Sequence, residues 1–304
     1  MQFFSDDDVR NVLKWPAVLG ALEAGFAHKD QFFIPERTII QAGDNIYLTM
    51  PCVDGEGWFG VKQVSIVPEN SARGLPTVQA HYTLNDPQGT PSVSASATLM
   101  TKMRTAGASA LAARYLAPEH AKTLLVIGTG SLAPWQAEAH AQVRDYEQIL
   151  VWGRNLEKAE DTRADITSRL TNISVTVVND LPTACQQADV ITVATTAKSP
   201  IIMGDWLADK PLHIDLVGAF TPAMAEADPV TVKKAAVYID DLAGIQAEAG
   251  DLIQACEAGW SFNEVQADLQ TLVTDFQKPD KPVTLFKSVG LALEDLQVAK
   301  LLSQ

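Results

Sequence analysis

Short apolar runs alternate with helical patterns from residue 122 onward. The runs predict strands over residues 124–127, 149–152, 173–178, 190–195, 212–217 and 236–239. Helical patterns lie between most of them, and the one over 156–170 is the clearest because its charges occupy one face. Strands that alternate with helices are typical of βαβ units. This part of the chain therefore predicts an α/β fold with a doubly wound parallel sheet.

The first 118 residues follow a different pattern. A helical pattern begins after Ser5, its predicted N-cap, and ends near His28. Alternating runs then predict a mainly antiparallel sheet, and a long helix follows; the strands span 46–50, 60–66, 77–85 and 92–98, and the helix 101–116. Apolar periodicity predicts a last helix over 288–302, which we place with the first domain. The predicted division is residues 1–118 with 284–304 in an α+β domain and residues 119–283 in the parallel-sheet domain.

The first strand of the predicted parallel sheet runs directly into a turn that contains two glycines. The turn reads Gly128-Thr129-Gly130-Ser131-Leu132-Ala133, and a helical pattern follows it. Gly128 allows the tight turn, Gly130 lets a pyrophosphate approach the backbone, and the small Ala133 lets the helix pack close to the strand. The helix N-terminus adds free N–H groups and a positive dipole end. We predict that residues 128–133 bind a dinucleotide; the alternative is an ordinary strand-to-helix turn.

The end of the second strand bears on the choice between NAD(H) and NADP(H). In NAD-preferring sites this strand usually ends with an Asp or Glu that binds the ribose 2′-hydroxyl. Here the sequence is Trp152-Gly153-Arg154-Asn155, without a carboxylate. Because an arginine can pair with a 2′-phosphate, we predict a preference for NADP(H), with NAD(H) still possible. Gly153, Arg154 and Asn155 are then cofactor-binding residues, and Arg154 is the phosphate clamp; the alternative is a solvated arginine at a helix start.

Further cofactor contacts are predicted from the geometry of doubly wound sheets. Their ligands bind in the crevice at the carboxyl ends of the strands. Thr195, Thr196 and Val217 lie at such ends, and we assign them to the cofactor.

Composition and charge exclude several classes of partner. The chain has 304 residues, of which 47% are apolar and 20% charged, and its formal net charge is −14. A nucleic-acid-binding protein needs a basic face, and no apolar run has membrane-spanning length, so we expect neither partner. Three cysteines without metal or redox spacing, and an N-terminus without the basic start of a signal peptide, predict a cytoplasmic protein. No His or Cys cluster indicates a metal.

Three basic residues stand in unusually apolar surroundings: Arg37, Lys62 and Arg104. Lys62 lies within a predicted apolar strand, where an unpaired buried ammonium is costly. Burial also lowers the pKa of a lysine, which suits it to proton transfer. Arg104 is flanked by small residues, so a ligand can come close and be held bidentately. The alternative for each is a charge on a solvated face.

Seven stretches, spread over nearly the whole chain, resemble the ornithine cyclodeaminase/mu-crystallin family. They are Pro35-Glu36-Arg37, Gly60-Val61-Lys62, Gly74-Leu75-Pro76-Thr77-Val78, the run from Arg104 to Ala110, Gly128-Thr129-Gly130, Gly218-Ala219-Phe220-Thr221-Pro222 and Phe286-Lys287-Ser288-Val289-Gly290. The resemblance implies a Rossmann domain plus a substrate-binding and dimerisation domain, in a protein that is usually a homodimer. It also implies that Arg37, Lys62 and Arg104 form the substrate-carboxylate cluster, with Thr77 near it.

The loop after the fifth Rossmann strand separates the reactions of this family. Ornithine cyclodeaminases carry an Asp two residues past a Gly there, whereas this chain has Phe220. A phenyl ring neither binds an ammonium as a carboxylate does nor acts as a base, and Asp215 lies earlier, where we expect it to be buried in the sheet. The loop looks more like the branch that reduces cyclic ketimines, and Phe220 or Thr221 is expected to pack near the substrate ring.

The resemblance and the residues together predict an NAD(P)H-dependent reductase of a cyclic imino acid. Its expected substrate is Δ1-pyrroline-2-carboxylate, which gives L-proline, and the six-membered Δ1-piperideine-2-carboxylate, which gives L-pipecolate, is second. Arg37 and Arg104 hold the carboxylate, and Lys62 completes that grip and keeps the imine nitrogen protonated. Three alternatives stay open: ornithine cyclodeamination, acyclic reductive amination as in an alanine dehydrogenase, and non-enzymatic binding of a small ligand.

Overall fold

The structure is a computed structural model that describes residues 2–303. Its strands are β1 Gln2–Phe4, β2 Thr38–Ala42, β3 Asn45–Val53, β4 Phe59–Ile66, β5 Val78–Asn85, β6 Pro91–Ser96, β7 Thr123–Ile127, β8 Gln148–Trp152, β9 Ser174–Val177, β10 Val190–Val193, β11 Leu212–Leu216, β12 Ala236–Ile239, β13 Val265–Asp268 and β14 Val283–Lys287. Its helices are α1 Asp6–Val12, α2 Trp15–Ala27, α3 Ala97–Leu116, α4 Ala133–His140, α5 Leu156–Arg169, α6 Leu181–Gln187, α7 Pro229–Lys234, α8 Leu242–Glu248, α9 Gly250–Glu257, α10 Leu269–Thr274 and α11 Ala292–Lys300. Short 3-10 turns span Lys29–Gln31, Pro68–Arg73, Gly204–Trp206, Phe262–Glu264 and Leu301–Ser303.

The chain divides into two compact units. The first comprises the residues up to Thr105 together with those from Leu291 onward, and the second comprises Ala106–Gly290. The C-terminal helix α11 therefore belongs to the first unit. The predicted assignment of residues 284–304 to that unit is wrong for β14, which pairs with β11 and β12 of the second unit. The sequence order hides this, because β14 is the last strand of its sheet in the chain yet enters between two earlier ones.

The first unit is built on a six-stranded sheet in the order β1-β6-β5-β4-β3-β2. All neighbours are antiparallel except β1 and β6. Helix α11 packs on β3, β4 and β5 and against α2. This sheet with its helices is the predicted α+β domain, although the edge strands β1 and β2 were not predicted. All five residues of β2 are exposed, so the alternation that marks a half-buried strand is missing there.

The N-terminal segment forms two helices rather than the single predicted one. Ser5 is the N-cap of α1, as predicted, and its hydroxyl accepts a hydrogen bond from the Asp8 amide. The helix ends at Val12 and a new one begins at Trp15, with Pro16 in its first turn. A proline lacks an N–H, and its ring clashes with the carbonyl four residues earlier. One continuous helix through Pro16 is therefore unfavourable.

The second unit contains an eight-stranded parallel sheet in the order β13-β12-β14-β11-β10-β7-β8-β9. Leu124 and Val126 of β7 belong to one core cluster, and Leu125 and Ile127 belong to another. Because successive side chains of a strand point to opposite faces, both faces of this sheet are covered. The predicted fold class, a doubly wound parallel sheet with a smaller α+β domain, is confirmed. The strand order reverses between β7 and β10, and such a switch point opens a crevice at the carboxyl ends of the strands.

Among residues 2–303, no helix combines the length and the apolar character that crossing a membrane requires.

Candidate active site

The turn after β7 has the geometry that a dinucleotide needs. Gly128 has a φ of 122°, and a Cβ on it would lie 2.6 Å from the Ala194 carbonyl oxygen. A Cβ on Gly130 would meet nothing within 4 Å, so packing within the protein does not require glycine there. The open space beside Gly130 belongs to a cleft at the carboxyl ends of the strands. The glycine at position 130 leaves the backbone open toward this cleft.

Helix α4 begins at this turn, and its N-cap residue, Leu132, gives the first turn no side-chain hydrogen bond. The free N–H groups predicted for this helix start are absent, because Pro134 has no N–H and the amides of Ala133 and Trp135 donate to the carbonyl oxygens of Gly130 and Leu132. The positive end of the helix dipole still favours a phosphate here. Ala133 is completely buried at the start of α4, consistent with the predicted close packing. The residues present therefore fit the pyrophosphate of a nicotinamide dinucleotide.

The cleft brings together most of the predicted cofactor-binding residues. It is lined by Gly128, Thr129, Gly130, Trp152, Gly153, Arg154, Asn155, Lys158, Ala194, Thr195, Thr196 and Ile201. Four predicted residues are not in this lining, namely Ser131, Leu132, Ala133 and Val217. The Val217 amide donates to the Val193 carbonyl oxygen at 3.0 Å, so its backbone extends the sheet. These assignments to the cofactor stay predictions.

Two cations stand at the outer end of the cleft. Arg154 is exposed, and so is Lys158, which the sequence analysis missed. Lys158 lies four residues after Arg154, one turn into α5. A basic residue at that position was the signal from which Lys158 could have been predicted. Asn155 is the N-cap of α5, and its Oδ1 accepts from the Lys158 amide at 2.9 Å. That oxygen is committed to the helix, which leaves only the amide donor for the predicted contact with a phosphate.

The loop after β11 carries the predicted substrate residues of the second unit. Phe220 is 49% exposed, and Thr221 is also exposed. Asp215 is completely buried in β11, as expected, and accepts a hydrogen bond from the Thr192 hydroxyl at 2.8 Å. Burial raises the pKa of Asp215 to about 7. Asp215 thus lies within the sheet rather than in the loop that carries Phe220.

In the first unit, Lys62 and Arg104 lie in one buried cluster with two acids. Lys62 Nζ is 2.5 Å from Asp295 Oδ2, and Arg104 contacts Glu294 at 2.8 Å and Asp295 at 3.2 Å. The Lys62 side chain is 3% exposed and that of Arg104 is 9%. We call these four residues the charge cluster. The structure thus brings both predicted catalytic residues together, and each contacts Asp295.

The two acids of the charge cluster were missed in the sequence. Glu294 and Asp295 lie on α11, and both are completely buried. Two adjacent acids within an otherwise apolar helical pattern were the available signal, because buried carboxylates need a charged or hydrogen-bonding partner. Their contacts with Lys62 and Arg104 span 233 and 190 residues of sequence. No local pattern indicates partners at such separations.

Lys62 has a perturbed pKa. Burial lowers the pKa of its ammonium to about 8, and the positive charge of Arg104 acts in the same direction. Asp295 opposes both by its charge and its hydrogen bond. A lysine with a pKa near physiological pH can both hold and release a proton, which suits general acid–base chemistry.

The other two predicted substrate residues, Arg37 and Thr77, immediately precede strands of the first unit's sheet. Arg37 immediately precedes β2 and is partly exposed. Thr77 lies just before β5, and its carbonyl oxygen accepts from the Val67 amide. Lys62 pairs with Tyr82 in the β4–β5 ladder, five residues along β5 from Thr77. Five residues of extended strand span roughly 16 Å, so the role of Thr77 beside the charge cluster stays a prediction.

The residues described contain no group of three or more His, Cys, Asp or Glu side chains that could hold a metal ion. The second unit offers the cleft beside the glycine turn, and the first unit offers the charge cluster.

Known proteins are similar to this chain in sequence and in fold. The profile of the ornithine cyclodeaminase/mu-crystallin family matches residues 2–304. A Δ1-pyrroline-2-carboxylate reductase of Bacillus cereus is 34% identical over 85% of this chain and 81% of its own. The structure of the Thermococcus litoralis Δ1-pyrroline-2-carboxylate reductase in complex with NADH and L-proline matches with a TM-score of 0.92 and 32% identity, covering 100% of this chain and 96% of that one. An archaeal alanine dehydrogenase dimer with bound NAD matches with a TM-score of 0.90 and 27% identity, over 99% of this chain and 94% of that one. The chain belongs to the ornithine cyclodeaminase/mu-crystallin family.

Proposed function

We propose that this protein reduces a cyclic imino acid with NAD(P)H as the hydride donor. The substrate we infer is Δ1-pyrroline-2-carboxylate, which gives L-proline, and the six-membered Δ1-piperideine-2-carboxylate is the second substrate. The likeness to the Thermococcus litoralis reductase, which carries NADH and L-proline, supports this reaction.

The observation that carries the proposal is the mixed sign of the charge cluster. A protonated cyclic imino acid is a zwitterion, with a carboxylate and an iminium N–H on neighbouring atoms. Lys62 and Arg104 offer the two cations, and Glu294 and Asp295 offer the two anions, within contacts of 2.5 to 3.2 Å. A cluster of cations alone would favour the carboxylate and repel the iminium. A balanced cluster accommodates both charges of the substrate.

Each residue of the charge cluster has a part in this proposal. An arginine carries five N–H donors in a planar fork, so Arg104 can serve a substrate carboxylate as well as its acids. Lys62 holds a proton beside the imine nitrogen, directly or through water, because the protonated imine accepts hydride far better than the neutral form. Asp295 keeps Lys62 charged. Bound NAD(P)H would supply the hydride, and the cleft residues around Gly130 would hold its pyrophosphate.

We also propose a preference for NADP(H) over NAD(H). Arg154 and Lys158 both line the outer end of the cleft, and neither is an acid that would repel a 2′-phosphate. The matched structures contain NADH or NAD, so this preference rests on the two cations.

A homodimer is the assembly we propose, with the first unit as its dimerisation domain. The exposed edge of its sheet is apolar, since Ile39 is 60% exposed and Ile40 is 55% exposed. Phe33, beside this edge in the chain, is 71% exposed. Exposed apolar clusters of this kind mark protein–protein contacts.

All three cysteines are free thiols, which agrees with the cytoplasmic location we propose.

Acyclic reductive amination is the second candidate reaction. The archaeal alanine dehydrogenase shares the fold over nearly the whole chain, and its likeness favours a 2-oxo acid with ammonia as substrates. Ornithine cyclodeamination is less favoured, because Phe220 stands where that reaction needs a carboxylate. A purely binding role would leave the cleft and the charge cluster without turnover.

The test is the consumption of NADPH, followed by its absorbance, with Δ1-pyrroline-2-carboxylate as substrate. The assay is repeated with NADH and with pyruvate plus ammonia. Ornithine with NAD is assayed separately for released ammonia, because cyclodeamination consumes no net NAD and leaves the absorbance unchanged. Fast oxidation of NADPH by the cyclic imine alone supports the proposal. Turnover of pyruvate or ornithine with an inert imine would replace it by the corresponding alternative.

A further inference from the structure

Glu226 is a buried acid that binds two loops of the second unit at once. It lies between the Phe220 loop and α7, and it is completely buried. One carboxylate oxygen accepts from the Thr195 amide at 2.7 Å and from the Thr195 hydroxyl at 3.0 Å. The other accepts from the amides of Gly218 at 2.7 Å and Ala219 at 3.3 Å. Asp228, two residues further along, is the N-cap of α7.

The two loops that Glu226 joins follow neighbouring strands of the parallel sheet. Thr195 follows β10 and lines the dinucleotide cleft, whereas Gly218 and Ala219 follow β11. The loops are in direct contact, because a Cβ on Gly218 would lie 1.9 Å from the Thr195 carbonyl oxygen. Glu226 therefore fixes the carboxyl edge of the sheet where the cleft continues past the glycine turn.

The backbone of Glu226 is bound by a second buried acid, Asp251, which in turn pairs with Lys287. Asp251 Oδ1 accepts from the amides of Glu226 at 2.5 Å and Ala227 at 3.0 Å. Its other oxygen lies 2.9 Å from Lys287 Nζ, and both side chains are completely buried. Burial raises the pKa of the Glu226 carboxyl to about 7, and the charge of Lys287 opposes that rise. The mechanism proposed above uses none of these three residues.

We propose that Glu226 is a positioning residue for the nicotinamide half of the cofactor, acting through the loops after β10 and β11. This rests on the proposed use of a nicotinamide dinucleotide. A dinucleotide lies across the crevice at the switch point of the sheet. With Arg154 at the adenosine end, the other half extends toward β10 and β11. The loops that Glu226 joins are the part of the chain that meets it.

The carboxylate is required because all four of its partners are hydrogen-bond donors. In Glu226→Gln, one oxygen becomes an NH2 group that faces N–H donors on one of the two loops. Those donors lose their acceptor, and leaving buried donors unpaired is costly. An aspartate keeps the charge but is one methylene too short to reach both loops. Either variant releases one loop and leaves the glycine turn and Arg154 untouched.

The test compares binding of whole NADPH with binding of its adenosine half, adenosine 2′,5′-bisphosphate, to the full-length protein. Glu226→Gln should weaken NADPH binding by about tenfold or more and leave the affinity for the bisphosphate unchanged. Asp228→Asn is the matched control, because Asp228 caps α7 two residues away and contacts Thr231 and Gly204 instead. It should leave both affinities unchanged.

The readout separates positioning from a general structural role. An equal loss of both affinities, or no loss of either, would overturn the inference. If Glu226→Gln does not fold, Glu226→Asp is tested in the same way, since it preserves the buried charge. Binding needs no imine, so the comparison holds even if Δ1-pyrroline-2-carboxylate proves not to be a substrate. Should the wild type bind NADH better than NADPH, the pair becomes NADH and AMP.

Discussion

Asp295→Asn should move the pH dependence of the reaction through its effect on Lys62. The substitution removes a negative charge 2.5 Å from Lys62 Nζ and leaves an oxygen that still accepts the hydrogen bond. Burial and the charge of Arg104 already lower the pKa of Lys62 to about 8, while Asp295 raises it. Without that charge, the pKa of Lys62 falls further. Protonated Lys62 then persists only to a lower pH.

The size of the shift follows from the wild-type value. With a pKa of about 8, Lys62 is mostly protonated at pH 7, and its protonated fraction falls about tenfold for each pH unit above 8. Loss of an opposite charge in contact typically moves a pKa by about one to three units. The alkaline fall in kcat/KM should therefore begin at least about one unit lower in the variant. Activity is lost first at high pH and is regained as the pH is lowered.

Other groups around Lys62 do not obscure this readout. Burial raises the pKa of the Cys52 thiol to about 12, and it raises the pKa of Tyr82 well above its ordinary value. Both of these side chains stay neutral over the useful pH range. The imine substrate also titrates, but it does so identically with either protein, so the difference between the two profiles reports Lys62.

The assay is kcat/KM for the cyclic imine, measured from NADPH consumption between about pH 6 and pH 10. Asp54→Asn is the control, because Asp54 forms an ion pair at 2.6 Å with Lys300 in the same unit. It should leave the alkaline limb in place. Removing one partner of a buried pair costs about 3–5 kcal/mol, so thermal unfolding is measured alongside. Parallel profiles, with the same loss at every pH, would refute the assignment of Lys62 as the titrating group.

The cleft and the exposed sheet edge give three further predictions. Gly130→Ala should weaken dinucleotide binding, measured by calorimetric titration, without lowering the melting temperature. Gly128→Ala should lower the melting temperature, because a Cβ there would lie 2.6 Å from a carbonyl oxygen. Equal melting temperatures of the two variants in thermal unfolding would contradict this prediction. Replacing Arg154 and Lys158 together by alanine should raise KM for NADPH by about ten- to a hundredfold and leave KM for NADH unchanged; an unchanged ratio of the two would rule out the phosphate clamp. Ile40→Asp should convert the proposed dimer to monomers in analytical ultracentrifugation, and a dimer that persists would place the interface elsewhere.

The parallel sheet was the most predictable part of this molecule. Most of its first six strands are largely apolar runs, as β7, β8, β10 and β12 are, and buried parallel strands have that composition because helices cover both faces. Of the strands that were missed, β2 lacks such a signal, because it is an edge strand with five exposed residues. β14 is buried along its whole length, but its apolar residues form only a short run that includes Thr284 and ends at Lys287. The position of β14 between β11 and β12 is a property of the folded sheet that no local pattern carries.

The site was predictable only where its residues conflict with their surroundings. Lys62 is conspicuous because an ammonium within an apolar strand has to be explained, and Arg104 is conspicuous among small residues. The acids that explain them, Glu294 and Asp295, are equally buried, and their position within an otherwise apolar helical pattern was a weaker signal of the same kind. A cation inside an apolar element implies an anion near it. The sequence shows that a partner must exist, but only the fold identifies which of the 37 acids it is.

Glu226 could not have been recognised in the sequence by a complementary charge. Its partners are backbone amides of Gly218 and Ala219 and the residue Thr195, 31 positions away. Backbone donors leave no trace in a sequence, so an acid that binds them cannot be recognised by a complementary charge. The charge cluster and Glu226 thus differ in kind. In the charge cluster, acidic and basic side chains pair with each other, and this pairing determines their chemistry. Glu226 pairs instead with backbone N–H groups of the loops that border the cleft.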